Sequence, residues 1–211
     1  MIRSALMLCG SPKGEKGSSW ELGSFLLHQL EARGVATRRR AITPSDTLLD
    51  DVREAELLIL SFPLYADGIP ARFKAALMEI ARAGIGPKLC MALVQCGFLE
   101  SSQNESAIEM CRLFARDAGF VWLGGLGRGA GGMIEGKPLD KAPRPLNATR
   151  KALEITAAAL AEGKPVPEEA QKAFAAPLIP RWIYSGAASL GFLFQALGNG
   201  RLFPLFRKPY R

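Results

Sequence analysis

The chain has few of the side chains from which metal centres and disulfide frameworks are built. Its 211 residues include one histidine, His28, and four cysteines, none of them in a CxxC or similar spacing. This argues against the common zinc motifs and against a disulfide-stapled secreted domain. No export leader is visible in the sequence either. Residues 6–10 resemble a lipoprotein cleavage box, but only eight residues precede Cys9, too few for a charged region and an apolar core. We therefore predict no metal site and a reducing, cytoplasmic location.

Acidic residues are also scarce, since 20 Asp and Glu stand against 27 Lys and Arg and leave a formal net charge of +7. A basic chain favours anionic partners such as nucleotides, phosphates and acidic membrane surfaces. The densest run of cations, Arg38–Arg40, fits a nucleic-acid patch or a charged edge strand, because edge charges discourage aggregation between sheets. We favour the edge strand and predict no nucleic-acid partner.

Apolar runs alternate with amphipathic segments along most of the chain, which indicates a parallel sheet covered by helices on both faces. The predicted strands are residues 3–9, 36–42, 55–62, 88–96 and 120–126. The predicted helices are residues 20–32, 70–83, 103–118 and 146–162. Ser18 or Ser19 is expected to cap the first helix. We predict an α/β domain over residues 1–164 and an extension over 165–211.

The extension differs in composition from the domain. No charged residue lies between Arg181 and Arg201, and the segment 182–194 is apolar and rich in small residues. Its length approaches that of a membrane span, but its glycines and the polar Ser185 and Ser189 count against one. We favour a helix that packs on the domain or on a partner subunit. A peripheral contact with a membrane is the alternative.

Two loops that follow apolar strands carry the chemistry. The first, residues 10–19, offers the hydroxyl groups of Ser11, Ser18 and Ser19 and the cation of Lys13, directly before a helix. Several donors that converge at the start of a helix suit a phosphate. No Gly-Lys-Ser/Thr follows the spaced glycines, which argues against a nucleoside triphosphatase.

The second loop, residues 62–70, has a stiff backbone at Pro63 and an aromatic ring at Tyr65. Gly68 is expected to allow a close approach of a ligand to the main chain. Both loops follow strands of a parallel sheet, so we expect them to meet at its carboxyl edge, where ligands bind. A phosphate loop beside an aromatic loop predicts a site for flavin mononucleotide (FMN).

The two loops together resemble a known pattern. The first is similar to the GSPR-x-x-x-(S/N)-(S/T) signature of the NADPH-dependent FMN reductase and iron–sulfur flavoprotein branch of the flavodoxin-like superfamily. The second, with Pro63, Tyr65, Pro70 and Lys74, resembles the P-x-Y-x-x-x-x-P-x-x-(L/F)-K block of that superfamily. Features of the tail extend the resemblance over nearly the whole chain. It implies a flavodoxin-like three-layer sandwich with a five-stranded parallel sheet in the order 2-1-3-4-5.

The resemblance also implies which residues hold the cofactor, FMN. For its phosphate group they are Ser11, Pro12, Lys13, Ser18 and Ser19. For its isoalloxazine ring they are Pro63, Leu64, Tyr65, Ala66, Asp67 and Gly68. The loop after the fourth strand adds a third set, which consists of Gln95, Cys96, Gly97 and Phe98.

The sequence departs from the pattern at two points. Lys13 stands where the signature has arginine, which keeps the charge but loses bidentate geometry. The cysteine cluster of the iron–sulfur members is absent, so no cluster is predicted. The run Gly127–Gly132 fits GxGxxG, but no helix follows it, so we reject a dinucleotide fingerprint there and retain only a lid over the flavin. Within it we expect Arg128 to be a solvated loop residue rather than a ligand of a nicotinamide phosphate.

The resemblance implies an FMN-dependent oxidoreductase that takes electrons from NADPH or NADH. The acceptor would be a quinone, a flavin, a nitro or azo compound, or a metal ion. Because the flavin carries the redox chemistry, no catalytic side chain is predicted. A homodimer is expected. Two alternatives stay open: a flavodoxin-type electron carrier, which the basic charge disfavours, and a non-catalytic protein of this fold that docks to a membrane or protein through its tail.

Overall fold

The computed structural model describes residues 1–42, 48–134, 138–141, 144–178 and 180–200. The chain divides into two compact units, Met1–Leu178 and Ile179–Arg211. The first unit is built on a five-stranded parallel sheet in the order β2-β1-β3-β4-β5, which confirms the predicted topology. Its strands are β1 (Ser4–Cys9), β2 (Ala36–Ala41), β3 (Leu57–Pro63), β4 (Leu89–Gln95) and β5 (Val121–Arg128).

Helices cover both faces of this sheet, as predicted. In the described part of the first unit they are α1 (Ser18–Glu31), α2 (Leu49–Glu54), α3 (Ala71–Arg82), α4 (Glu105–Asp117), α5 (Asn147–Ala161) and α6 (Glu168–Ala175). Helices α2, α3 and α4 share an apolar layer with one face of the sheet, in which Phe73 and Phe114 belong to the same cluster as Leu60. Helix α1 packs on the opposite face, where the Met7 side chain lies against Gly23. Helix α5 lies beside α1, and α6 lies beside α5.

The positions of β3 and β2 in the sheet follow from their composition. Strand β3 is central, and all seven of its residues are buried, as expected for a strand covered on both faces. Strand β2 lies at the edge and carries the basic run. Arg38 and Arg40 form ion pairs with Asp51 of α2, and the Arg39 guanidinium lies 5.2 Å from the centroid of the Trp20 ring. The prediction of a charged edge strand is therefore confirmed.

Three details differ from the sequence-based expectations. The short helices α2 and α6 are not predicted by the sequence. Because α6 contacts α5 and β5, the first unit continues to Leu178, whereas the sequence places a boundary after residue 164. The expected serine cap of α1 is wrong, since Gly17 is the N-cap residue and no side chain caps this helix.

The second unit contains the uncharged segment of the extension. It forms one helix, α7 (Arg181–Gly198). Over the residues that the structure describes, no helix combines the length and the hydropathy needed to cross a bilayer.

Candidate cofactor site

The loops after β1, β3 and β4 meet at the carboxyl edge of the sheet and are joined by hydrogen bonds. The amide of Leu64 donates to the carbonyl oxygen of Gln95 at 2.8 Å, which ties the second loop to the third. The amide of Gly10 donates to the Ser61 carbonyl at 2.8 Å, and the Ser61 hydroxyl donates to the Ser19 carbonyl at 2.7 Å. These bonds tie the three loops to one another.

A cavity of about 150 Å³ lies between these loops. Residues of all three predicted sets line it, namely Ser11, Lys13, Ser18, Pro63, Leu64, Tyr65, Gln95, Cys96 and Gly97. Two further glycines, Gly17 and Gly132, complete the lining. The structure therefore brings together side chains that are more than eighty residues apart in the sequence, as the parallel topology requires.

The wall formed by the first loop is suited to an anion. Because no side chain caps α1, the first-turn amides of Ser18 and Ser19 keep the donor capacity that an N-terminal phosphate needs. The Ser11 hydroxyl oxygen accepts the Lys13 amide at 3.3 Å, a role that leaves its hydrogen for donation. Lys13 adds a positive charge to the lining.

Ser18 and Ser19 contribute their side chains to the protein rather than to the cavity. The Ser18 hydroxyl donates to the Gly131 carbonyl at 2.7 Å, and a hydroxyl has only one hydrogen to donate. Ser19 is fully buried, and its hydroxyl oxygen accepts a 3.5 Å bond from the Gln95 side-chain amide. The Ser18 hydroxyl is committed to Gly131 and Ser19 does not line the cavity, so their main-chain amides, not their hydroxyl groups, are the donors available to a phosphate.

The second loop is a tight hairpin turn with a strained backbone. Tyr65 and Gly68 exchange amide-to-carbonyl hydrogen bonds of 3.1 Å in each direction. The two residues between them, Ala66 and Asp67, have φ angles of 46° and 57°. Both central positions of a type I′ turn need positive φ, which costs an alanine or aspartate about 1 kcal/mol or more. The Ser106 hydroxyl holds this turn by donating to the Asp67 carbonyl at 2.8 Å.

The turn places an aromatic ring at the mouth of the cavity. Tyr65 lines the cavity and is 48% exposed, so its side chain is accessible to a ligand. A Cβ built on Gly68 would come no closer than 3.8 Å to Met110, an ordinary contact, so the packing of the protein does not itself require a glycine there. The close approach of a ligand at Gly68 stays a prediction. The positive φ angles at Ala66 and Asp67, not a glycine, shape this loop.

The third loop is anchored to the end of β5 and to the residues that follow it. The Cys96 amide donates to the Arg128 carbonyl at 2.9 Å, and the Gly131 amide donates to the Cys96 carbonyl at 2.8 Å. Burial raises the pKa of the Cys96 thiol, so this cavity-lining group is protonated at neutral pH. Phe98 is 60% exposed and lies outside the cavity lining.

The run Gly127–Gly132, which begins with the last two residues of β5, forms part of the site, whereas the sequence predicts it only as a lid. Gly132 lines the cavity. A Cβ on Gly131 would lie 1.7 Å from the Gln95 side-chain oxygen, and one on Gly129 would lie 2.1 Å from the Leu99 carbonyl oxygen. Gly129 and Gly131 within the run Gly127–Gly132 are the signal for this close packing, since a Cβ at either position would meet the third loop.

Arg128 does not behave as a solvated loop residue, and that expectation is wrong. Its side chain is almost completely buried and donates to the Phe174 carbonyl in the last turn of α6, with the guanidinium 5.7 Å from the centroid of the Phe174 ring. Burial lowers the pKa of Arg128 to about 10, so it is a cation at neutral pH. In the described residues no carboxylate pairs with it. It stabilises the negative end of the α6 dipole instead.

A second cavity, of about 640 Å³, adjoins the first and shares Ser11 and Tyr65 with it. Pro12 lines this larger cavity, together with the end of β2 and the first turn of α3. The smaller cavity alone holds only part of a nucleotide-sized ligand, because ligand sites usually measure about 300–1,000 Å³. The space on both sides of Ser11 and Tyr65 is sufficient for a whole flavin nucleotide.

Known proteins are similar to this chain in one short stretch of sequence and in fold. No protein-family model matches it. The curated FMN-dependent NADH:quinone oxidoreductase 1 of Jannaschia sp. (strain CCS1) is 40% identical over 50 residues, which is 24% of this chain and 26% of that protein. A solved flavodoxin, WrbA-like protein from Agrobacterium tumefaciens has a TM-score of 0.55 at 14% identity, over 77% of this chain and 97% of that one. An FMN-dependent NADH-azoreductase from Bacillus anthracis str. Ames Ancestor, solved in complex with FMN, has a TM-score of 0.53 at 10% identity, over 75% of this chain and 100% of that one.

These matches differ in what they establish. The sequence match is short, and the chain spans about a quarter of the length of that curated relative. The structural matches cover almost all of each solved chain, but at low sequence identity they concern the fold alone. Together with the strand order 2-1-3-4-5 and the helices on both faces, they establish that the chain has the flavodoxin-like fold.

Proposed function

We propose that this protein binds FMN without a covalent bond and uses it to pass electrons from NADH or NADPH to a small acceptor. The observation that carries the proposal is the convergence of an anion-binding loop, an aromatic loop and a third loop around one cavity at the carboxyl edge of the sheet. The names of the Jannaschia relative and of the Bacillus anthracis neighbour, both FMN-dependent, support it.

The residues divide into groups by the part of the cofactor they would hold. The amides of Ser18 and Ser19, the Ser11 hydroxyl and the Lys13 ammonium group would hold the phosphate. The Tyr65 ring and the main chain of the second and third loops would hold the ring system. When bound, FMN supplies the redox chemistry, so the protein needs only to bind, to orient and to set the electrostatics of the site.

In the part of the chain that the structure describes, the cavity lining contains no histidine or carboxylate that could act as an acid or base, and flavin chemistry requires none. The Cys96 thiol in the lining is protonated, because burial raises its pKa. The carboxylate of Asp67 belongs to the turn, not to the cavity lining. His28 lies on α1 and lines a different cavity, together with residues 138–141. We therefore assign no catalytic side chain.

The names of similar proteins and the walls of the larger cavity indicate which class of electron acceptor the protein would use. A quinone is the acceptor that the Jannaschia relative's name gives, and an azo compound fits the Bacillus anthracis neighbour. The larger cavity has apolar walls at Ile42, Ile69 and Phe73, and the part of it that the flavin nucleotide leaves open beside Tyr65 would accommodate an apolar ring compound. We propose an aromatic or quinone-like acceptor on this ground.

A second candidate function is electron carriage without nicotinamide turnover. The flavodoxin-like neighbour from Agrobacterium tumefaciens favours it. The net charge of +7 counts against it, because carrier flavodoxins are typically acidic. The two functions differ in whether a nicotinamide cofactor reduces the bound flavin quickly.

The deciding experiment loads the purified full chain with FMN and mixes it with NADH or NADPH in the absence of oxygen. Free FMN at the same concentration is the control. An oxidoreductase loses its visible flavin absorbance at about 1 s⁻¹ or faster, and a water-soluble quinone restores it. A carrier stays oxidised on that time scale although it binds FMN.

A further inference from the structure

The larger cavity beside Tyr65 combines apolar walls with a positive charge. Ile42, Ile69 and Phe73 form apolar walls, and Arg72, in the first turn of α3, is the charged residue of the lining. In the part of the chain that the structure describes, no aspartate or glutamate lines this cavity. Apolar walls with one cation suit a ligand that has an apolar body and a negatively charged group.

Arg72 occupies a position where a cation does not stabilise its own helix. The first turn of α3 is the positive end of the helix dipole, which favours anions and disfavours cations. This turn contains no acidic residue that would offset the charge. Among the described residues, no carboxylate forms an ion pair with Arg72. The fold therefore gains nothing from this cation, whereas a bound anion would interact favourably with both the guanidinium group and the end of the helix.

The larger cavity extends beyond the loops that would hold the flavin. It shares Ser11 and Tyr65 with the smaller cavity, but Arg72 lines only the larger one. Its volume of about 640 Å³ lies within the range of a complete ligand site. Because Tyr65 and Arg72 line the same cavity, a ring compound held there by its anionic group would lie beside the flavin.

We propose that the larger cavity binds aromatic anions, with Arg72 on a carboxylate or sulfonate group, and that the electron acceptor is a compound of this class. The identity of the acceptor rests on the proposed function, whereas the binding of the anion does not depend on FMN. With an azo compound as the acceptor, two molecules of NADH or NADPH and two protons would cleave the N=N bond to two amines. The anionic group would pass through the reaction unchanged.

The binding is tested on the flavin-free full chain with two fluorescent probes that differ in one group. They are 1-anilinonaphthalene-8-sulfonate and N-phenyl-1-naphthylamine, which has the same ring system without the sulfonate. Arg72→Gln should raise the dissociation constant of the sulfonate probe about fivefold or more, because a hydrogen bond to a charged group is weakened. The dissociation constant of the neutral probe should stay within about twofold of the wild-type value.

Arg82→Gln is the matched control. It is the same substitution in the last turn of the same helix, about 15 Å from Arg72, and it removes the same charge. It should leave the affinity for both probes unchanged. Probe that binds elsewhere on the chain contributes equally to the wild type and to both variants, and a thermal transition verifies that each variant is folded.

The acceptor is tested on the FMN-loaded chain with methyl orange and methyl yellow, azo dyes that differ only in a sulfonate group. Arg72→Gln should raise the KM for methyl orange about fivefold or more and leave its kcat and the KM for methyl yellow within about twofold. A chain that reduces neither dye but binds the sulfonate probe through Arg72 would contradict the proposed function and support the anion site.

Two outcomes would overturn the proposal. One is that Arg72→Gln binds the sulfonate probe as tightly as wild type, or that Arg72→Gln and Arg82→Gln weaken its binding equally. Arg72 would then have no role of its own in holding an anion. The other is that Arg72→Gln leaves the sulfonate compounds unaffected but raises the KM for NADPH or the dissociation constant of FMN. That result would assign the guanidinium group to a phosphate of a cofactor.

Discussion

Replacing Ser18 by alanine separates two roles that its hydroxyl group could have. In the structure this hydroxyl donates a 2.7 Å hydrogen bond to the carbonyl of Gly131, 113 residues away, and both residues are buried. Ser18→Ala leaves that carbonyl without its partner, at a cost of about 1–3 kcal/mol. For a unit of this size, each kcal/mol lowers the melting temperature by about 2–4 °C, so we expect a fall of about 2–12 °C.

The same variant should leave the affinity for FMN nearly intact. The amide of residue 18, which would bind the phosphate, is unchanged in Ser18→Ala. Ser11→Ala is the matched comparison, because the Ser11 hydroxyl lines the cavity and keeps a hydrogen for donation. Loss of a hydrogen bond to a charged phosphate costs about 1.5–3 kcal/mol, which raises the FMN dissociation constant about tenfold or more.

Two measurements decide between the roles: thermal unfolding of the FMN-free protein, and titration of FMN by fluorescence. We expect Ser18→Ala to lower the melting temperature and Ser11→Ala to lower the affinity. The reasoning is refuted if Ser18→Ala melts within about 1 °C of wild type and binds FMN as weakly as Ser11→Ala. The Ser18 hydroxyl would then be a ligand of the phosphate.

Three further predictions concern groups around the site. Gly129→Ala should lower the free energy of unfolding, measured by urea titration, by about 3 kcal/mol or more and abolish FMN binding, because its Cβ would meet the Leu99 backbone at 2.1 Å. Gly132→Ala is the control: nothing lies within 4 Å of a Cβ there, so the free energy of unfolding should stay unchanged. Arg128→Met keeps the packing and removes a buried cation that no described carboxylate pairs with, so it should change the free energy of unfolding by less than about 2 kcal/mol. Arg128→Ala should lower it by about 3–5 kcal/mol. Equal losses for the two variants would contradict this account. Burial raises the pKa of Cys9 from 9.0 to about 11. The contribution of its neutral thiol to the free energy of unfolding is therefore complete below pH 9. It is lost between pH 9 and 11, at up to about 1.4 kcal/mol per pH unit. Cys9→Ala should therefore lose less stability than wild type over that interval, and parallel unfolding curves for the two proteins would refute the assignment.

The sequence predicts the sheet well because its strands are strongly apolar and its loops carry local turn chemistry. The seven buried residues of β3 follow from an uninterrupted apolar run, and the edge position of β2 follows from its arginines. Helix α2 is missed because its six residues carry mostly charged side chains, and α6 because its eight residues follow a proline-rich connection. Short helices of this kind owe their stability to tertiary packing, which local propensity does not encode.

The members of the candidate site are predictable where they follow the strands in order, and not where they depend on partners far along the chain. The Ser18 hydroxyl, the positive φ angles at Ala66 and Asp67, and the burial of Arg128 against α6 all have long-range or conformational causes. A serine that follows a glycine-rich loop looks the same in sequence whether its hydroxyl bonds a phosphate or a distant carbonyl. An arginine beside glycines gives no sign that a helix end more than forty residues later will cover it.

The measurement that tests the central claim most directly is a titration of FMN and, in parallel, of riboflavin with the purified, flavin-free chain, followed by quenching of flavin fluorescence. The account predicts one FMN per chain with a dissociation constant of about 1 µM or lower. Because riboflavin lacks the phosphate that the first loop would hold, it should bind about tenfold more weakly or worse. No saturable quenching by FMN would contradict the claim that this is a flavin site. Equal affinity for riboflavin would contradict the assignment of the phosphate to Ser11, Lys13 and the start of α1.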